Sequence, residues 1–193
     1  SMTRTNSGRV ITRAIVGHHW KIDISYNPMT RAEFEPIASF LEERRGRLKP
    51  FFVVLPQYAS PQTASSGTIS TVGTIASGDS NFLVSGTSAS GMNLERGDMI
   101  TINDSSNSNH LKAYKIVRVH TSANRLSSDS DLDQATERRY YVVPPFEKDI
   151  TSGSTVVYTN PLIRVINTKD VLEYSLGTNN LYQFSLSLEE AQP

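Results

Sequence analysis

Residues 20–56 read WKIDISYNPMTRAEFEPIASFLEERRGRLKPFFVVLP, and three elements can be taken from them in order. From 18 to 26 the chain alternates: Trp20, Ile22, Ile24 and Tyr26 fall on one face, His19, Lys21, Asp23 and Ser25 on the other. A period of two is the mark of a strand with one buried face. Asn27 and Pro28 end it. Thr30 followed by Glu33 then forms a capping box, with Met29 and Phe34 placed as its hydrophobic staple, so a helix is predicted to start here. Phe34, Ile37, Ala38 and Leu41 make one apolar stripe, Arg44 and Arg45 suit the negative end of the helix dipole, and Gly46 sits where a left-handed terminating residue is wanted. Pro36 conflicts with a start at Arg31, because it forfeits a backbone bond to Ala32; the first turn is loose, or the helix starts nearer Glu35. The run 51–55, between Pro50 and Pro56, reads as a short strand buried on both faces.

Outward from this stretch, 10–16 is β-branched and apolar, and 59–67 (ASPQTASSG) is a turn-rich boundary. From 68 to about 159 the composition changes. Short β-rich pieces (69–75, 82–84, 99–102, 114–119, 140–143, 155–158) alternate with Gly, Ser, Asn and Asp clusters, a spacing that suits a small antiparallel barrel or sandwich. Its loops 104–109 and 127–133 are expected to be the most exposed. Beyond Pro161, strands are predicted at 162–166, 171–176 and 181–188. The last has Tyr182, Phe184, Leu186 and Leu188 on one face and Gln183, Ser185, Ser187 and Glu189 on the other, mirroring the Trp20 strand. Two long amphipathic strands at opposite ends of the chain are natural partners in one sheet. The expectation is a mainly β chain with one helix: a discontinuous β-sandwich domain, 1–60 plus 160–193, carrying an inserted barrel, 68–159.

Composition narrows the function. In 193 residues, 19 Lys and Arg balance 19 Asp and Glu, which argues against a nucleic-acid binder working by bulk electrostatics. With 37% hydrophobic residues the chain lies below the usual globular range, so much of it is surface, turn or exposed strand face. Cysteine is absent, which excludes disulfides, thiolate metal sites and cysteine nucleophiles. No apolar run approaches the roughly 18 residues of a membrane span, and residues 1–10 lack the apolar core of a signal peptide.

Catalytic and metal motifs are missing. None of His18, His19, His110 and His120 has a second histidine at ligand spacing with a nearby carboxylate. His18 and His19 read as strand-start residues at a sheet edge or a subunit contact. Asp129, Asp131 and Asp133 alternate as in a calcium loop, but the central Gly and the closing Glu are absent, which favours a solvated loop. GTSASG at 86–91 is followed by no helix and reads as a turn. Arg4, Arg9 and Arg13 stand in a first stretch of 18 residues without an acid; a terminal arm lying across a neighbouring subunit explains them better than phosphate contacts. No cofactor is implied.

The quoted stretch resembles the opening of a family of bacteriophage tail proteins, in which an aromatic-and-proline strand end precedes an "MTRAEF-PI-AFL" helix, a basic-glycine turn and an "F-V-LP" strand. The similarity continues in "GD-I-I" (Gly97, Asp98, Ile100, Ile102), "K-Y-V" (Lys112, Tyr114, Val117) and a terminal "Y-FSL-LEEA" at 182–191. It implies a distal-tail, baseplate or tail-tube-like structural protein of the virion, assembled in the host cytoplasm as a ring, usually a homohexamer, around a channel that DNA crosses without specific binding. It also implies other tail proteins as partners, no membrane, no small-molecule substrate and no catalytic residue. The interface then falls to Arg4, Arg9, Arg13, His18 and His19, and internal packing to Trp20, Ile22, Ile24, Phe34, Ile37, Leu41, Tyr182, Phe184 and Leu186. Two other readings compete: a carbohydrate- or receptor-binding module presenting loops 104–109 and 127–133, and a glycan hydrolase, for which the acids are too scattered to nominate a pair.

Overall fold

The computed structural model describes residues 2–4, 10–12, 18–86, 91–104, 106–108, 110, 112–129, 131–132 and 134–191. In chain order the elements are β1 (Met2–Arg4), β2 (Val10–Thr12), β3 (Lys21–Ser25), α1 (Arg31–Arg44), β4 (Phe51–Val53), a 3-10 turn (Pro56–Tyr58), β5 (Ile69–Val72), β6 (Asn81–Gly86), β7 (Met99–Asn103), β8 (Ala113–His120), β9 (Glu137–Val143), β10 (Thr155–Val157), β11 (Ile163–Asn167), β12 (Tyr174–Leu176) and β13 (Tyr182–Glu190). The described chain is mainly β with one α-helix, and its sheets are antiparallel. Among the described residues, strands β1 and β2 pair only with each other. The rest of the predicted strand at 10–16 lies outside the described residues.

An open sheet is built around β13. Strand β3 runs along one side of it, with Ile22 opposite Leu188 and Ile24 opposite Leu186. On the other side lie β11, with Asn167 opposite Leu188, and β12, with Tyr174 opposite Phe184; β4 then pairs with β11. Alternation aims Trp20, Ile22, Ile24, Phe184, Leu186 and Leu188 at one face, which α1 covers with Phe34, Ala38 and Leu41. Aromatic stacking fixes the fit: Phe34 lies on Tyr182 at 4.6 Å, and Tyr26 on Phe184 at 4.4 Å. Each fully buried Leu or Phe here contributes about 1.5–3 kcal/mol.

The helix does start at Arg31, with Pro36 inside it. Glu33 Oε2 accepts bonds from both the N–H and the hydroxyl of Thr30, at 2.9 Å each, and this anchored first turn tolerates the bond that Pro36 forfeits. Termination takes two left-handed residues, Arg45 at φ 53° and Gly46 at φ 62°. Gly46 is also required for space, since a Cβ would come within 2.8 Å of the Asp170 Cα. The segment 51–55 corrects the sequence reading. Phe51 and Leu55 are buried, but Phe52 and Val54 are exposed, because β4 lies at the margin of the sheet with only one face covered.

After β4 the chain leaves this sheet, and it rejoins it at β11. Between them six strands close into a barrel in the order β10, β5, β6, β9, β8, β7 and back to β10. The barrel is filled by Ile69, Phe82, Ile100, Tyr114, Ile116, Tyr140 and Phe146 with their neighbours, all almost fully buried. A bulge between Ile116 and Arg118 bends β8 against β9 and turns Val117 outward. In the two polar loops Ser106, Ser108, Ser127, Ser128 and Asp131 are exposed as expected, but three residues are not. Asp104, Asp129 and Leu132 are buried, because their side chains fold back onto the barrel.

Candidate functional site

The outer face of the open sheet carries the alternate residues that the helix does not cover: Lys21, Asp23 and Ser25 on β3, and Gln183, Ser185, Ser187 and Glu189 on β13. Ser187 Oγ donates to Asp23 Oδ1 at 2.7 Å. Polar side chains cross-linked in this way make a hydrated surface with little reason to bury itself within one chain.

The edges of the sheet follow from the bonding pattern. Glu190 N–H donates to the Trp20 carbonyl, and Tyr26 N–H donates to the Phe184 carbonyl. In an antiparallel ladder, the even-numbered residues of β3 therefore face β13, and the backbone groups of Lys21, Asp23 and Ser25 face away from it. Among the described residues no strand pairs with that outer edge of β3, or with the outer edge of β4. Unpaired edges are sites for pairing with another chain.

His18 and His19 lie at the head of β3 and are exposed. The imidazole of His19 meets Glu189 Oε1 at 2.9 Å, and His18 packs edge-on against Trp20 at 5.0 Å. Of the arginines, Arg4 falls in β1, while Arg9 and Arg13 lie outside the described residues. The nine predicted packing residues, Trp20, Ile22, Ile24, Phe34, Ile37, Leu41, Tyr182, Phe184 and Leu186, all join one cluster, Trp20, Ile22, Ile24, Ile37 and Tyr182 only in part buried.

Sequence reasoning missed the seam between barrel and sheet. Lys112, 2% exposed, donates to Glu190 Oε2 at 2.9 Å, to the His18 carbonyl at 2.8 Å, and meets Glu147 Oε1 at 3.2 Å. Trp20 Nε1 donates to the Ala113 carbonyl at 3.0 Å, and Trp20 N–H to Glu190 Oε2 at 3.1 Å. Met99 and Ala113 of the barrel join the apolar cluster under the helix. The end of the open sheet where the head of β3 meets the tail of β13 is thus pinned to the barrel by one ammonium. The available signal was register: Glu190 continues the buried face of Phe184, Leu186 and Leu188 by period two.

Two further polar clusters brace the barrel. His120 Nδ1 meets Asp129 Oδ2 at 2.8 Å, and Arg139 reaches Asp129 at 3.3 Å and Asp131 at 2.5 Å. The hydrogen bond with His120 does most to hold the Asp129 carboxyl below its usual value, against the opposing effect of burial. Asp129 and Asp131 are thus engaged by basic side chains, and Asp133 lies outside the described residues. In the second cluster, Tyr114 Oη and His110 Nε2 are 3.0 Å apart, and burial pushes the phenol up and the imidazole down. Burial also raises Asp104, but N–H groups of Ser106 and Thr151 outweigh it, and its carboxyl lies low. Among the described residues no group of three or more His, Asp or Glu is placed to hold a metal ion, and no helix is long and apolar enough to cross a membrane.

Compared with known proteins, the chain matches no family model and no curated protein.

Proposed function

We propose that the chain is a structural component of a bacteriophage tail tip or baseplate, of distal-tail or tail-tube type, that assembles as a ring around the DNA channel of the virion. In this reading the open sheet and its helix are the ring-forming unit, of tail-tube β-sandwich type, and the barrel is a domain inserted between β4 and β11. The observation that carries it is the unpaired outer edge of β3, with the backbone groups of Lys21, Asp23 and Ser25 turned outward, at the opposite side of the sheet from the equally unpaired β4. Two different free edges on one sheet make a head-to-tail contact, and such contacts close into rings when the rotation allows. The polar face of β3 and β13 supports the reading, since a channel wall stays hydrated. Sister copies and other tail proteins are the partners, and the work is not catalytic. Electron microscopy of the purified full chain tests this: rings with a central opening are expected, and isolated single particles at every concentration count against it.

A further inference from the structure

At the seam between barrel and sheet one lysine stands between two carboxylates. Lys112 and Glu190 are 2% and 1% exposed at their side chains, and 78 residues separate them in the chain. Lys112 Nζ has three N–H bonds and three acceptors: Glu190 Oε2 at 2.9 Å, Glu147 Oε1 at 3.2 Å and the His18 carbonyl at 2.8 Å. The two acids differ in setting. Glu190 is shut in, whereas the Glu147 side chain is 23% exposed and reaches water, and its backbone carbonyl accepts from the Ser77 hydroxyl at 2.8 Å.

The two oxygens of Glu190 are held unequally. Oε2 accepts from Nζ and from the Trp20 N–H at 3.1 Å; Oε1 is buried and accepts no bond among the described residues. A buried carboxylate with one bare oxygen is costly, and taking both members of an ion pair out of water is costly too. An amide between Nζ and the Glu190 Cδ removes both charges. Oε2 becomes its carbonyl oxygen and keeps the bond from Trp20, the bare Oε1 departs, and the one remaining N–H keeps the His18 carbonyl. The negative charge that is left stays on Glu147, the acid that touches water.

We infer that Lys112 and Glu190 join in an isopeptide bond, formed by the folded chain itself with Glu147 as proton carrier. Two protons leave Nζ, one of them along the contact to Glu147. The nitrogen lone pair attacks the Glu190 Cδ, the charge that gathers on Oε2 is met by the Trp20 N–H, and the Cδ–Oε1 bond breaks. Both protons end on Oε1, which leaves as water, so one ammonium and one carboxylate become one amide and one water. Holding the two groups in contact takes the place of chemical activation, since well-oriented intramolecular pairs reach effective concentrations of roughly 100,000 M and above. The bond ties the residue before β8 to the last residue of β13 and so fastens barrel to sheet in a chain that has no cysteine. This inference does not rest on the ring.

Intact-mass spectrometry of the purified, folded full chain tests it. A mass one water below the sum of the residues is expected, with one branched peptide after proteolysis that carries both Lys112 and Glu190. Lys112→Arg, which keeps the charge without the amine, is expected to show the full mass. Glu147→Gln, checked by amide NMR to be folded, is expected to be largely unconverted on purification, its rate lowered by about 100-fold or more. A folded wild-type chain that keeps the full mass after days at neutral pH overturns the inference and leaves an ion pair only, as does a water loss that maps to other residues. Glu147→Gln converted as fully as the wild type overturns the assignment of Glu147 as proton carrier.

Discussion

In the barrel every strand has two neighbours, and the ladder that starts at β10 returns to it through β7; in the open sheet β3 and β4 each have one. The interiors differ in the same sense. Residues filling the barrel are almost fully buried, whereas Trp20, Ile22, Ile24, Tyr26, Ile37 and Tyr182 beneath the helix are only partly so. One region has satisfied its backbone and its apolar surface within a single chain. The other leaves both unfinished, and a second copy can complete them. In the proposed ring, folding free energy in the sheet would be shared with assembly, while that of the barrel would not.

This contrast is broken most severely at the seam. Lys112→Met leaves Glu190, 1% exposed at its side chain, and Glu147 without their cation, and is expected to cost about 3–5 kcal/mol in urea unfolding followed by Trp20 fluorescence. Adding Glu190→Gln should recover part of the loss. A purely surface role for Lys112 would leave the midpoint unmoved.

Leu41→Ala sharpens the comparison from one side. It opens a cavity under the helix and is expected to cost about 2–5 kcal/mol, felt in the sheet and helix. Hydrogen exchange should then show weakened protection in β3 and β13, with that of β6, β8 and β9 retained. Equal loss in both regions would mean that they unfold as one unit.

Acid should act on the barrel first. Because the Asp129 carboxyl is held below its ordinary value in the folded chain, its contribution is complete above that ordinary value, near pH 4, and is lost as the pH falls through the folded one. Asp104 behaves in the same way. Asp129→Asn should lower barrel stability at pH 7 and flatten its decline below about pH 4; an unchanged acid limb would remove Asp129 from that role. The smallest effect is at the helix start, where Thr30→Ala removes one of two bonds to Glu33 and should cost about 1 kcal/mol in the sheet alone.

What could be read from the sequence divides along the same line as the predictions. The facing of β3 and β13 was legible because period two writes burial directly into the chain, and α1 was legible because Thr30 and Glu33 mark its start. Edge position was not. The continuous run at 51–55 reads as buried on both faces because apolarity alone cannot show that only one face of β4 is covered. Lys112, Glu190 and Glu147 escaped because a buried charge resembles a surface charge until its partner, here 78 residues away, is brought to it. Asp129 was taken for a solvated loop residue for the same reason, its partners His120 and Arg139 lying in separate strands.

The assembly reading stands on the outward backbone groups of β3, and the native mass of the full chain beside that of Asp23→Pro reads them out. Proline at 23 removes an outward donor while the bonds to β13, made by the even-numbered residues, remain. The wild-type chain should give a single multiple of the protomer mass at micromolar concentration, and Asp23→Pro the protomer mass, with amide protection in the barrel unchanged. A wild-type chain that stays at protomer mass at every concentration and ionic strength, or an Asp23→Pro chain that assembles as fully as the wild type, contradicts it.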